Sequence, residues 1–143
     1  MDNIDLQIIR LLKKNSRITS SEISKNINLS IPAVSERIRK LEACGFIEQY
    51  TVKLNRTKLD LNLMALIYVN VDSQHLSMFR KKIVTYDSVL ECHHIAGEFD
   101  YVLKVVVKDT ASLEKFITEA LKKNLSVSKT NTIIVLSTLK EHI

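Results

Sequence analysis

Residues 91–101 read ECHHIAGEFDY, a stretch dense in side chains that could do chemistry. A glutamate, a cysteine and two adjacent histidines are the residue types that ligate transition metals, so a metal site is the first question. Strand geometry answers it. Neighbours on a strand point to opposite faces, so Glu91 and His93 share one side while Cys92 and His94 share the other. At most two ligands then converge, and a stable site wants three or four. No metal is expected, and Cys92 is expected in the core, where free cysteines usually sit. The second half of the stretch, GEFDY, holds one of only two glycines in the chain. It reads as a turn, and what that turn serves depends on the elements around it.

Catalytic signatures are absent. The chain has no G-x-S-x-G, no phosphate-binding glycine loop and no H-E-x-x-H. Its histidines, at 75, 93, 94 and 142, show no spacing that pairs a base with an orienting partner. An enzyme is therefore not expected. Cys44 and Cys92 are too few for a disulfide framework and match no zinc spacing. No apolar run approaches the roughly 20 residues of a membrane span, and the N-terminus lacks a signal-peptide pattern. A cytoplasmic protein without cofactor is the expectation.

Charge is distributed unevenly. Residues 1–62 hold 11 Lys/Arg and 7 Asp/Glu, a net of +4, whereas residues 63–143 hold 10 and 9, a net of +1. A basic half beside a near-neutral one points to a polyanionic partner for the first.

The first half reads as three short helices. DNIDLQIIRLLKKN puts Ile4, Ile8, Leu11 and Leu12 on one helical face behind an Asp2 cap. ITSSEISKNINLS opens with a Thr19/Glu22 capping box, flanked by Ile18 and Ile23 at staple positions. Asn28 is expected to end it in the left-handed conformation, a role more often given to glycine. Ser30 caps the third helix, IPAVSERIRKLEAC, with Pro32 tolerated in its first turn. Val34, Ile38 and Leu41 face inward, Ser35, Glu36, Arg39 and Lys40 face outward, and Arg37 flanks the buried stripe. Gly45 closes the helix.

Two helices joined by a three- to four-residue turn, the second polar and basic outside, are the layout of a DNA-binding helix-turn-helix. Ser30, Pro32, Ala33, Ser35, Glu36, Arg37, Arg39 and Lys40 are the residues expected at double-stranded DNA. The first amides and Ser30 would bind phosphate, and the Arg, Ser and Glu side chains would read base edges. After Gly45, FIEQYTVKLN reads as a strand and RTKLDLN as a polar connector.

The second half repeats strand and helix twice. LMALIYVNV (63–71) is a strand with Leu63, Ala65, Ile67, Val69 and Val71 on one face. A helix capped near Asp72 or Ser73 follows and buries Leu76, Phe79 and Ile83. SVLECHHIA and YVLKVVV are strands on either side of the Gly97 turn. A helix capped by Asp109 buries Leu113, Phe116, Ile117 and Leu121, and SVSKTNTIIVLSTLKE is a long final strand. The order β-α-β-β-α-β is ferredoxin-like, with both helices on one face of an antiparallel sheet. Leu66, Val102, Val106, Ile134 and Leu136 make the other face apolar as well, so self-association is expected. The fold class is α+β: a winged-helix-like helix-turn-helix domain (1–50), a linker strand and hinge (51–62), and a ferredoxin-like domain (63–143).

DNIDLQIIRLLKKNSR, LSIPAVSERIRKLEACGFIEQYTVKLN and IAGEFDYVLKVVV, in this order and at this spacing, resemble the Lrp/AsnC (leucine-responsive/asparagine-responsive) family of transcription regulators. The resemblance covers essentially the whole chain. Asn28 departs from the glycine usual there. The resemblance implies a homodimer formed through the linker strand and C-terminal sheets, assembling further into tetramers or octamers. It also implies that amino acids or related effectors bind near the G-x-x-D-Y loop, at a dimer–dimer interface. Gly97, Asp100 and Tyr101 match that loop, and Thr130 and Thr132 lie in the segment resembling the facing wall. Asp100 would hold an ammonium group, while loop amides and the threonine hydroxyls would take a carboxylate. GEFD would equally make a plain hairpin turn. An effector-independent architectural protein that wraps or bends DNA is the second reading.

Overall fold

The computed structural model describes residues 1–141; His142, one of the four histidines, and Ile143 lie outside the described residues. The described chain forms two compact units, residues 1–53 and residues 54–141.

The first unit is α1 (Asn3–Lys14), α2 (Ser20–Ile27) and α3 (Ile31–Ala43). Each begins where its cap dictates. The Asp2 carboxylate accepts from the amides of Ile4 and Asp5, and Asp5 returns a bond to the Asp2 amide, closing a capping box. Thr19 and Glu22 form the second box, with the Glu22 carboxylate accepting from the Thr19 amide at 2.8 Å. Asn28 ends α2 at φ 52°, ψ 45°, a left-handed geometry that an asparagine tolerates. The three-residue turn is fixed further by Ser24, whose hydroxyl donates to the Leu29 carbonyl at 2.6 Å. At the end of α3, the Gly45 amide bonds Glu42 O and the Phe46 amide bonds Leu41 O, with Gly45 at φ 72°. That is a Schellman motif, and it needs the positive φ that glycine supplies. Ile8, Leu12, Ile23, Val34 and Leu41 form the buried centre, with Ile4, Leu11, Ile18, Ile27 and Ile38 packed against it. Each fully buried aliphatic side chain contributes about 1.5–3 kcal/mol.

The second unit is β1 (Leu63–Val71), α4 (Leu76–Ile83), β2 (Val89–His94), β3 (Tyr101–Val107), α5 (Thr110–Lys115) and β4 (Val127–Val135). The strands form one antiparallel sheet in the order β2-β3-β1-β4, the ferredoxin-like arrangement. Ala65, Ile67, Val69 and Val71 of β1 face Phe79, Ile83, Leu113, Phe116 and Leu121 in a single core. Asp109 caps α5 through the Ser112 amide at 2.8 Å.

Several expectations are corrected. Residues 46–55 form no strand. A strand exists only through a ladder partner, and none among the described residues pairs with this segment, so Phe46, Tyr50, Val52 and Leu54 stay exposed. Within residues 51–62 the regular element is a short 3-10 turn, Thr57–Leu59, ended by Asp60 at φ 60°. No side-chain cap opens the helix after Asp72; a 3-10 turn, Ser73–His75, leads into α4 through the His75 amide on Asp72 O.

The second helix widens after Lys115 into a π-helical segment, Phe116–Asn124. Its i→i+5 repeat puts Phe116 over Leu121 and Ala120 over Leu125, all four buried against the sheet. The final strand stops at Val135, leaving Leu136 96% exposed. Ile134 pairs with Ala65 and so belongs to the helix-side register, while Ile133, paired with Leu66, takes the outer face. A shift of one residue in a strand exchanges its faces, which takes Ile134 off the outer face, and Leu136 lies beyond the strand.

Candidate functional site

The outward side of α3 is the first candidate. Ser30 caps the helix, its hydroxyl accepting from the Ala33 amide at 3.4 Å, and Pro32 is exposed in the first turn. Ala33 is half-buried. Ser35 donates to the Ser20 hydroxyl at 3.0 Å, joining α3 to the start of α2. Glu36 takes the Arg39 guanidinium at two points, Nε at 2.9 Å and Nη2 at 2.8 Å, with Lys40 Nζ at 3.7 Å. Those contacts hold the Glu36 carboxyl below its usual range, the Arg39 hydrogen bonds first among them, and raise Arg39. Pro32, Ser35, Glu36, Arg39 and Lys40 therefore share an exposed surface.

Arg37 departs from that surface. Its Nη1 bonds Asp2 at 2.8 Å and Asp5 at 2.7 Å, so the guanidinium joins α3 to α1. The physical reason is the capping box: it turns two carboxylates toward the flank of α3 on which Arg37 lies. Ile31, which the charge pattern passes over, is 47% exposed in the first turn beside the Ser30 cap. Its signal in the sequence is an isoleucine in the position directly after a cap, ahead of the inward stripe.

The second candidate is the loop between β2 and β3. Asp100 ties it to the end of β1: its amide donates to Asn70 Oδ1 and Val69 O, and its carboxylate accepts from the Val71 amide at 2.9 Å. The Asp100 carbonyl accepts from the Ile95 amide, closing the loop. Gly97 sits at the exposed tip, with open space where a Cβ would stand. Val69 pairs with Tyr101 on one side and Thr130 on the other, so these two flank it on the helix-side face, about 10 Å apart across two strand spacings. Thr132 pairs with Ile67, one step further along β4 on the same face.

Tyr101 itself is 3% exposed. It packs on Phe79 at 5.0 Å, stacks on His94 at 4.9 Å and accepts a 2.6 Å hydrogen bond from Arg80 Nε. Its side chain thus lies in the core beneath the loop. The structure brings Gly97, Asp100, Tyr101 and Thr130 to one end of the sheet, but not as an open row of side chains.

The ECHH residues divide between faces as alternation requires. Glu91 and His93 lie together, Nε2 3.1 Å from Oε2, and Lys104 Nζ is 3.0 Å from the other oxygen of Glu91. Cys92 packs against the core on the opposite face, where burial pushes its thiol up. Among the described residues, no group of three or more His, Cys, Asp or Glu side chains is placed to hold a metal ion.

Both units match known families. A winged helix-turn-helix DNA-binding model matches residues 1–48, and the Lrp/AsnC ligand binding domain matches residues 64–143. The leucine-responsive regulatory protein of Klebsiella pneumoniae is 33% identical over 144 residues, covering 99% of this chain and 88% of that protein. Among solved structures, LrpC of B. subtilis is 34% identical with a TM-score of 0.90, covering 98% of this chain and 97% of that one. A transcriptional regulator of Neisseria meningitidis, solved in complex with L-Met, has a TM-score of 0.95 at 27% identity, covering 99% of this chain and 94% of that one. A DNA-binding helix-turn-helix followed by a ferredoxin-like ligand-binding unit, matched from end to end, places the chain in the Lrp/AsnC family of transcriptional regulators.

Proposed function

We propose that the chain binds operator DNA through the exposed side of α3, as a dimer or higher oligomer, and that an amino acid bound at the second unit modulates this. It does its work on DNA in the cytoplasm and carries out no catalytic step. The observation that carries the reading is the exposed surface of Pro32, Ser35, Glu36, Arg39 and Lys40 on a helix whose other side is fully spent on packing. The Ser30 cap and first-turn amides serve phosphate, and the exposed Ile31 suits a thymine methyl group. Arg37 holds the helix in place from behind.

Self-association is supported by the outer sheet face. Met64, Leu66, Tyr68 and Val102 are half-buried there and Ile133 is 47% exposed, an apolar surface interrupted by Lys104 and Asn131, and one that a second copy covers. Two recognition helices then meet half-sites about one helical turn, or a multiple of it, apart.

The effector reading rests on the Asp100 loop. One carboxylate oxygen holds the Val71 amide, and the other carries no hydrogen bond among the described residues, which suits an ammonium group. Gly97 leaves the loop tip open, and Thr130 and Thr132 offer hydroxyls along β4. L-Met in the Neisseria relative makes it the first probe to try.

Selection of bound fragments from genomic DNA, with and without a panel of amino acids, tests both parts together. The expected result is a two-fold-related consensus whose occupancy changes with one or a few amino acids. Binding that unrelated competitor DNA removes entirely would favour an architectural protein instead.

A further inference from the structure

Glu36 is an odd residue to find on a helix that meets a polyanion. Of the two carboxylates in α3, Glu42 is bound by the Tyr50 hydroxyl at 2.7 Å, which leaves Glu36 as the acid amid the exposed cations. It grips Arg39 through Nε and Nη2 and draws in Lys40. With Arg37 committed to Asp2 and Asp5, Glu36 thus restrains both remaining cations of α3. Exposed pairs of this kind add little to helix stability, so stability does not account for the arrangement.

Groove chemistry does. An ionised carboxylate only accepts hydrogen bonds. In the major groove cytosine presents an amino donor alone and adenine an amino donor beside the N7 acceptor, which repels a carboxylate, whereas guanine presents two acceptors and thymine an acceptor and a methyl group. A carboxylate held at the groove edge therefore rewards cytosine, is repelled by guanine and thymine, and opposes indiscriminate attraction to phosphates. Arg39 and Lys40 keep it extended along the exposed side and limit its repulsion by the backbone.

We propose that Glu36 is a specificity-determining residue: braced by Arg39 and Lys40, it accepts a hydrogen bond from the amino group of one cytosine in each half-site and suppresses binding to other DNA. This rests on α3 being the groove helix.

The test is selection from random duplexes by the wild-type protein, Glu36→Ala and Glu36→Gln, followed by titration of the selected site and of unrelated DNA across a salt series. The wild type is expected to select cytosine at one position of each half-site. Glu36→Ala loses that preference, about 5- to 100-fold in the ratio of cytosine to other bases. It also binds unrelated DNA more tightly, because a negative charge no longer opposes the phosphates that Arg39 and Lys40 meet. Glu36→Gln, nearly identical in shape, moves the preference at that position toward adenine. An unchanged consensus in both variants overturns the proposal and leaves the groove helix standing. A wild-type protein that selects no consensus removes the groove-helix reading and the proposal with it.

Discussion

Arg37 reaches back across 32 residues to Asp5, its Nη1 2.7 Å from Oδ1, and through the same nitrogen to Asp2 at 2.8 Å. The first and third helices are thus joined by charge as well as by the Ile8 and Val34 core. Backbone capping bonds and Arg37 hold both aspartates below their ordinary range. Depressed carboxyl values give stability that is fully present above the unfolded value near 3.8 and is lost as pH falls through the lowered folded values. Arg37→Met is therefore expected to melt the first unit at a lower temperature at pH 7, by a difference that shrinks as pH falls below about 3.8. Its DNA salt slope should match that of the wild type. Circular dichroism melts across pH and a salt titration check both, and a slope reduced by a full phosphate contact would mean that Arg37 touches DNA.

The helix-turn-helix depends on local devices whose removal has predictable size. Thr19→Ala deletes one half of the capping box and should cost about 1 kcal/mol. Asn28→Ala keeps a Cβ in left-handed backbone but removes the short polar side chain that offsets its cost, and should lose about 1–2 kcal/mol, whereas Asn28→Gly should be nearly neutral. Urea titration of the three variants is the measurement, and equal stability of the alanine and glycine variants at 28 would contradict the assigned geometry.

Arg39→Ala should weaken binding to every duplex and reduce the log–log salt slope by about 0.9, one phosphate contact. Lys40→Ala should do the same. Affinities measured between 50 and 200 mM salt, at about four concentrations, are sufficient; slopes identical to wild type would take both cations off the interface.

Asp100→Asn keeps the size of the side chain and its bond to the Val71 amide but removes the charge. Expected is an unchanged fold with loss of the thermal shift produced by L-Met or another amino acid. For the wild type, ligand at about 100 times its dissociation constant adds about 2.7 kcal/mol, a shift easily read by differential scanning. A wild-type shift that persists in Asp100→Asn places the ammonium elsewhere.

Glu141 is held at about 2 by hydrogen bonds from Lys104, at 2.6 Å, and Arg56, at 3.2 Å. Its folded value lies below the ordinary 4.5, so the stability it gives is complete above pH 4.5 and disappears between 4.5 and about 2. Glu141→Gln should melt the second unit at a lower temperature at neutral pH and show a flatter acid limb. Identical acid limbs for the two proteins would refute the assignment.

Most of the first unit was legible because its signals are local. Asp2, Thr19, Asn28, Ser30 and Gly45 each act on backbone within a few residues, and the apolar spacing of Ile8, Ile23, Val34 and Leu41 states which side of each helix is buried. The ion pairs of Arg37 were not legible, for the opposite reason. Its partners lie at the start of another helix, and nothing near residue 37 announces them.

In the second unit, the sequence by itself determined the order of strands and helices, since periods of two and of about four are written into apolar spacing. It also determined that Glu91 and His93 face away from Cys92 and His94, because alternation needs no partner. Only the tertiary structure decided the register of β4, which sends Ile133 outward and Ile134 inward. The same holds for residues 46–55, which carry strand-like residues but find no ladder partner among the described residues. Tyr101, too, is claimed for the core by Phe79 and Arg80 of α4 and His94 of β2. Capping, turn and alternation energies are local and can be read along the chain; pairing, register and burial depend on which distant segment arrives, and that is fixed only when the sheet closes.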